Sequence, residues 1–146
     1  MATTNLTLDG DDTADWDTST GANHFGEIDE GTTSPTDASY IATVTPDDID
    51  QFTLSATPTN TSQVTQVDVN LRGYIDDASA TAKIEVSLYH TGTTLIGSAI
   101  ELAGADLGGY GTTPTTTTAA KLRWSGLTLT KTEADSLEVR VKFLAS

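Results

Sequence analysis

Alternation of apolar and polar residues with a period of two dominates this chain, and it marks three segments as strands with one buried face. Val67, Val69 and Leu71 alternate with Asp68, Asn70 and Arg72. Ala82, Ile84, Val86 and Leu88 alternate with Lys83, Glu85, Ser87 and Tyr89, and Leu137, Val139, Val141 and Phe143 with Glu138, Arg140 and Lys142. β-Branched and aromatic runs bounded by Asp, Pro, Gly and Asn extend the set. Strands are predicted over residues 39–45, 50–56, 64–74, 80–90, 93–103, 121–130 and 136–144. A short strand around Leu6 and Leu8 brings the total to about eight.

Three apolar stripes of this kind are buried only if two sheets face one another. The predicted fold is therefore all-β, an antiparallel β-sandwich of jelly-roll-like form. Its expected core is Val67, Val69, Leu71, Ile84, Val86, Leu88, Leu122, Trp124, Val139, Val141 and Phe143. No long segment repeats apolar residues at helical spacing; one helical turn is predicted over residues 132–135, capped by Thr130 or Thr132. The glycine at position 92 marks a hairpin turn entered from Tyr89 and left at Leu95. Residues 108–118, with adjacent glycines and a run of threonines, read as an exposed loop.

Residues 1–38 lack this periodicity. They are rich in Asp, Thr, Gly and Ser, with Trp16, Phe25 and Ile28 as isolated apolar anchors, and they are expected to form an irregular acidic N-terminal arm leading into a β-sandwich domain of residues 39–146. A length of 146 residues leaves room for one core.

Charge sharpens the division. The formal net charge is −14, and 13 of the 21 acidic residues but none of the 7 basic ones precede Arg72. Binding to a phosphate backbone needs clustered Lys and Arg, so neither nucleic acid nor an anionic membrane is an expected partner. With no cysteine, neither a disulfide nor a thiolate metal site can contribute. The first residues show no basic, apolar leader, and synthesis in the cytosol is expected.

Candidate chemistry is sparse. The carboxylates of Asp9, Asp11, Asp12, Asp15 and Asp17 are the best candidates for calcium, yet Gly10 falls second in that run instead of sixth and no distal Glu completes an EF-hand loop. A solvated acidic loop is the better reading of that cluster. His24 and His90 are too few for zinc or triad chemistry, and no H-E-x-x-H or G-x-S-x-G pattern occurs. The aromatic residues Trp16, Trp124, Tyr40, Tyr74, Tyr89 and Tyr110 are scattered and give no obvious sugar platform. No catalytic residue and no cofactor are expected; the chain is expected to work by binding.

Trp16, the run Asp37-Ala38-Ser39-Tyr40-Ile41, Asp50-x-Phe52, Val67-x-Val69-x-x-Arg72 and the closing alternation to Phe143 resemble the β-sandwich virion structural proteins of tailed bacteriophages. The resemblance implies a capsid decoration (cement) protein on the outer surface of the head, or a tail accessory protein, in a virion assembled in the host cytoplasm. It implies the major capsid protein or another virion protein as partner, and a homo-oligomer, with a trimer preferred. Asp9, Asp11, Asp12 and Trp16 are the expected partner-binding residues. A carbohydrate-binding or adhesion module is the alternative reading.

Overall fold

A computed structural model of the chain describes residues 2–29, 36–76, 81–107, 113–118 and 120–144. Its principal element is a five-stranded antiparallel sheet in the order β1 (Leu8–Ala14), β4 (Ile49–Leu54), β11 (Leu137–Leu144), β7 (Lys83–His90) and β8 (Thr94–Ala103). Facing it, β5 (Gln63–Asp68) pairs with β10 (Arg123–Thr130). Two short ladders complete the layers: β2 (Asp17–Thr18) with β3 (Ile41–Ala42), and β6 (Arg72–Gly73) with β9 (Thr115–Thr116). The chain is thus all-β and sandwich-like, as the alternation predicts.

The register shows why. Val139 lies opposite Phe52 on one side and Leu88 on the other, and Val141 opposite Asp50 and Val86. The inward stripes of β4, β11 and β7 therefore form one apolar face, on which Phe52, Val86 and Leu88 are fully buried. Leu122 and Trp124 are buried against it from the opposite layer, and Leu102 of β8 and Leu107 just after it are buried as well. Of the expected core, Val67, Val69, Leu71 and Phe143 are only half-buried.

Local devices bend the strands to make this possible. In β8 three residues, 97–99, stand opposite the single residue Ser87, a bulge with Gly97 in the left-handed region at φ 63°. A Cβ on Gly97 would sit 3.1 Å from Trp124 Cδ1, and Trp124 Nε1 donates to Ser98 O at 2.9 Å. The glycine lets the indole lie directly on the bulged backbone, where it joins the two layers. At the β7–β8 turn, Thr91 and Gly92 both take positive φ, which supplies the twist a tight hairpin needs.

The link between the layers is a helical turn, α1 (Lys131–Ala134). Thr130 Oγ1 accepts from Glu133 N while the Glu133 carboxylate accepts from Thr130 N, a complete capping box. Thr130, one of the two expected caps, is the one used.

The lead-in departs from expectation. Residues 8–14 form the edge strand β1, paired with β4 from Leu8 opposite Leu54 to Ala14 opposite Asp50, with two bulges. The acidic sequence has weak strand propensity, and it is the β4 edge that imposes the extended form. Residues 30–35 and 108–112 lie outside the described residues; of the expected threonine loop, Thr115 and Thr116 pair with β6.

The outer face of the five-stranded sheet carries a polar network. Arg140 Nε donates to Gln51 Oε1 at 2.6 Å, Arg140 Nη1 donates to Tyr89 Oη at 3.0 Å, and the guanidinium carbon stands 4.2 Å from the Tyr89 ring centre. Gln51 Nε2 donates to Gly92 O at 3.1 Å and to the Glu138 carboxylate. Gln51 and Glu138 are buried although they lie on the face that alternation assigns to solvent. Arg140→Ala will therefore cost about 1–3 kcal/mol in chemical denaturation by stranding the buried Gln51 carbonyl. Glu85→Ala, which touches none of this network, will cost about 0.5 kcal/mol or less. Equal effects of the two substitutions would show that the network contributes nothing.

Candidate functional site

Three carboxylates fasten the lead-in to the sandwich. Asp50 lies on the inward face of β4, next but one to Phe52, and is completely buried. Its Oδ1 accepts from Asp15 N at 2.8 Å and Trp16 N at 3.0 Å, and His24 Nδ1 stands 2.6 Å from its Oδ2. Burial pushes the Asp50 carboxyl above the usual aspartate range, and these hydrogen bonds oppose the shift.

Asp11 clamps the next segment, accepting from His24 N at 2.9 Å and Phe25 N at 2.7 Å. These are the first amides of a single 3-10 turn over Phe25–Glu27, whose orphan donors a carboxylate satisfies well. Glu27, buried at the end of that turn, accepts from Ser19 Oγ at 2.7 Å, from Thr20 N at 3.1 Å and from the Thr20 hydroxyl. The Thr20 hydroxyl foremost, with Ser19 and nearby amides, holds the Glu27 carboxyl below its usual range. Ser19 extends the chain of contacts: its amide donates to Tyr40 O at 3.0 Å and its Oγ accepts from Tyr40 N at 2.9 Å.

Asp11 and Trp16 are turned inward: Trp16 Nε1 donates to Asp48 O at 3.2 Å, and the indole is half-buried against the core. Asp9 accepts from Thr53 Oγ1 at 2.7 Å, and Asp15 Oδ2 accepts from Ile49 N at 3.2 Å. Asp12 and Asp17 are exposed. The five aspartates are thus spread along both faces of β1 and its exit, and among the described residues no three His, Asp or Glu side chains gather as a metal site. Of the aromatic residues, Trp124 is core and Tyr89 lies beneath Arg140, whereas Tyr40 and Tyr74 are exposed.

Sequence reasoning passed over Glu27, set His24 aside as one of two histidines too few for metal or triad chemistry, and met Asp50 only in the Asp50-x-Phe52 run. One signal was present: Asp50 and Phe52 have the same parity, so the alternation that buries Phe52 must also bury a carboxylate, which requires partners.

Beside this brace the two layers part. A cleft of about 1550 Å³ runs between the inward face of β4 and β11 and the segment from β5 to β6. Phe52, Val139 and Val141 form its floor, Val67, Val69 and Leu71 its opposite wall, and Trp16 and Leu8 one end. The wall residues are half-buried and pack against the margin of the core. On its other edge β5 pairs with no strand among the described residues.

The residues that carry the phage resemblance interlock around these two features. Trp16 is bound to Asp50, Ile41 pairs with Thr18, and Arg72 forms a two-pronged ion pair with Asp37 at 2.8 and 2.9 Å. The Arg72 guanidinium holds the Asp37 carboxyl below its usual range. No protein-family model, curated protein or solved structure matches the chain.

Proposed function

We propose that this chain is a virion structural protein of a tailed bacteriophage, a decoration protein that binds the outer surface of the head. The supporting observation is that residues of the resemblance tie the lead-in to the sandwich: Trp16 to Asp50, β1 to β4 opposite Phe52, and Thr18 to Ile41, with Asp37 ion-paired to Arg72. The brace consumes Asp11, Glu27 and Asp50 internally and leaves Asp9, Asp12 and Asp17 on the surface of the lead-in. That surface suits a basic patch on a capsid protein.

Attraction between such surfaces is screened over about 8 Å at physiological ionic strength. Attachment to purified heads will weaken as salt rises, and substitution of Asp9, Asp12 and Asp17 by Asn will remove most of that salt dependence. Electron microscopy of particles with and without the protein tests the placement and gives the copy number. Density confined to the tail, or no difference between the particles, would reject it.

A further inference from the structure

The cleft has a definite chemistry. Its floor and wall are aliphatic and aromatic, and its volume of about 1550 Å³ exceeds the ~300–1,000 Å³ of ordinary small-molecule pockets. One wall is a strand, β5, whose second edge pairs with no strand among the described residues and so offers backbone donors and acceptors. An occupant that satisfies both features is itself extended, placing alternate side chains into the cleft and its backbone along β5.

The charges select among extended occupants. Among the described residues, Glu27, Asp29, Asp37, Asp68 and Asp76 line the cleft against the single cation Arg72. Asp37 is paired with Arg72 and Asp68 with Arg123, whereas Asp29 and Asp76 are exposed and carry no ion pair among the described residues. A second copy of this chain, itself at net charge −14, would bring repulsion to that rim and could offer a cation only by giving up a contact it already makes. All seven Lys and Arg side chains are engaged: six in ion pairs with carboxylates, and Arg140 with Gln51 and Tyr89.

We propose that the cleft receives an extended segment of a different protein, apolar at alternate positions and flanked by Lys or Arg, which adds as a strand to the free edge of β5. This narrows the partner of the proposed attachment. The binding test below needs no virion, so the two readings fail separately.

The test uses the full chain and a short synthetic peptide of alternating valine and threonine flanked by lysines. A glutamate-flanked peptide and a lysine-flanked peptide with a central proline serve as controls. Binding is read by the change in tryptophan fluorescence, since Trp16 lines the cleft and Trp124 does not, and by amide hydrogen exchange along β5. The lysine-flanked peptide is expected to bind and to protect those β5 amides that β10 leaves free, with both control peptides weaker by about tenfold or more. The double substitution Asp29→Lys and Asp76→Lys, at exposed positions, should weaken binding about tenfold with an unchanged melting temperature. Val67→Glu should abolish it.

Absence of binding by any peptide would overturn the proposal, as would equal binding of the glutamate-flanked peptide. So would β5 protection that appears without peptide and rises with protein concentration, which would make a second copy the occupant. If Val67→Glu still attaches to heads, the cleft is not the attachment site and the decoration reading stands. If the peptide binds but the protein is absent from particles, the decoration reading falls and the cleft stands.

Discussion

Deletion of residues 1–20 will lower stability by about 4 kcal/mol or more, a large part of the ~5–15 kcal/mol that holds an ordinary domain together. The deletion removes the strand that covers the β4 edge, together with Leu6, Leu8 and Trp16, each half-buried against the core. Partial burial of three large apolar side chains is worth about 1 kcal/mol each, given the ~1.5–3 kcal/mol of full burial. The deletion also strips Asp50 of the Asp15 and Trp16 amides and Glu27 of its Ser19 and Thr20 partners, leaving two buried carboxylates short of donors. Each such loss costs about 1–3 kcal/mol. A mobile arm ordered only by its partner would behave otherwise, with a melting temperature that barely moves. Thermal unfolding of the truncated chain, followed by circular dichroism, separates the two; a shift of less than about 3 °C would restore the arm.

The contrast between β1 and α1 shows what the sequence made legible. Thr130 and Glu133 have the spacing of a capping box, a device complete within a few residues, and the helical turn forms where that local chemistry places it. β1 has no comparable local signal. Gly10, Asp11 and Asp12 disfavour a strand, and only the pairing partner, forty residues away in the chain, makes one.

Periodicity fails in a different manner between residues 64 and 74. The alternation of Val67, Val69 and Leu71 continues unbroken, yet the ladder ends at Asp68, and after Val69 N donates to Leu122 O the chain turns to pair Arg72 with Thr116. Alternation reports which face of a segment is apolar and is blind to a change of partner. For the same reason it placed Val67, Val69 and Leu71 in a closed core, although they are only half-buried at its margin, where they line the cleft. The polar network of Gln51, Glu138 and Arg140 escaped notice because charged residues at outward positions look solvated until the hairpin at Gly92 is seen to close over them.

Asp50→Ala will destabilise the fold by about 3 kcal/mol, or about 10 °C in melting temperature for a chain of this size. The side chain is fully buried, and its removal orphans the amides of Asp15 and Trp16 and the Nδ1 of His24 at once. Loss of a buried acceptor costs more than the hydrogen bonds themselves are worth, because the stranded donors stay desolvated. The pH dependence gives a second, independent signature. Burial raises the folded-state pKa of Asp50, so between the ordinary value near ~3.9 and that raised value the native state holds more protons than the unfolded chain. The contribution of Asp50 is therefore full below the ordinary aspartate pKa and is lost as pH rises through the folded one. Asp135 has the opposite sign: hydrogen bonds from Thr57 first and then Lys131 lower it to about 2, so its contribution is present above the ordinary value and is lost as pH falls toward about 2. Acidification will thus weaken the parent through Asp135 and the other depressed carboxylates while the share owed to Asp50 grows. Denaturant titrations of parent and Asp50→Ala at about pH 3.5 and about pH 7 will show a wider gap at the acidic value. A gap that narrows on acidification would mean that Asp50 is held as a carboxylate by His24, and that the pair, rather than the buried acid, fastens the lead-in.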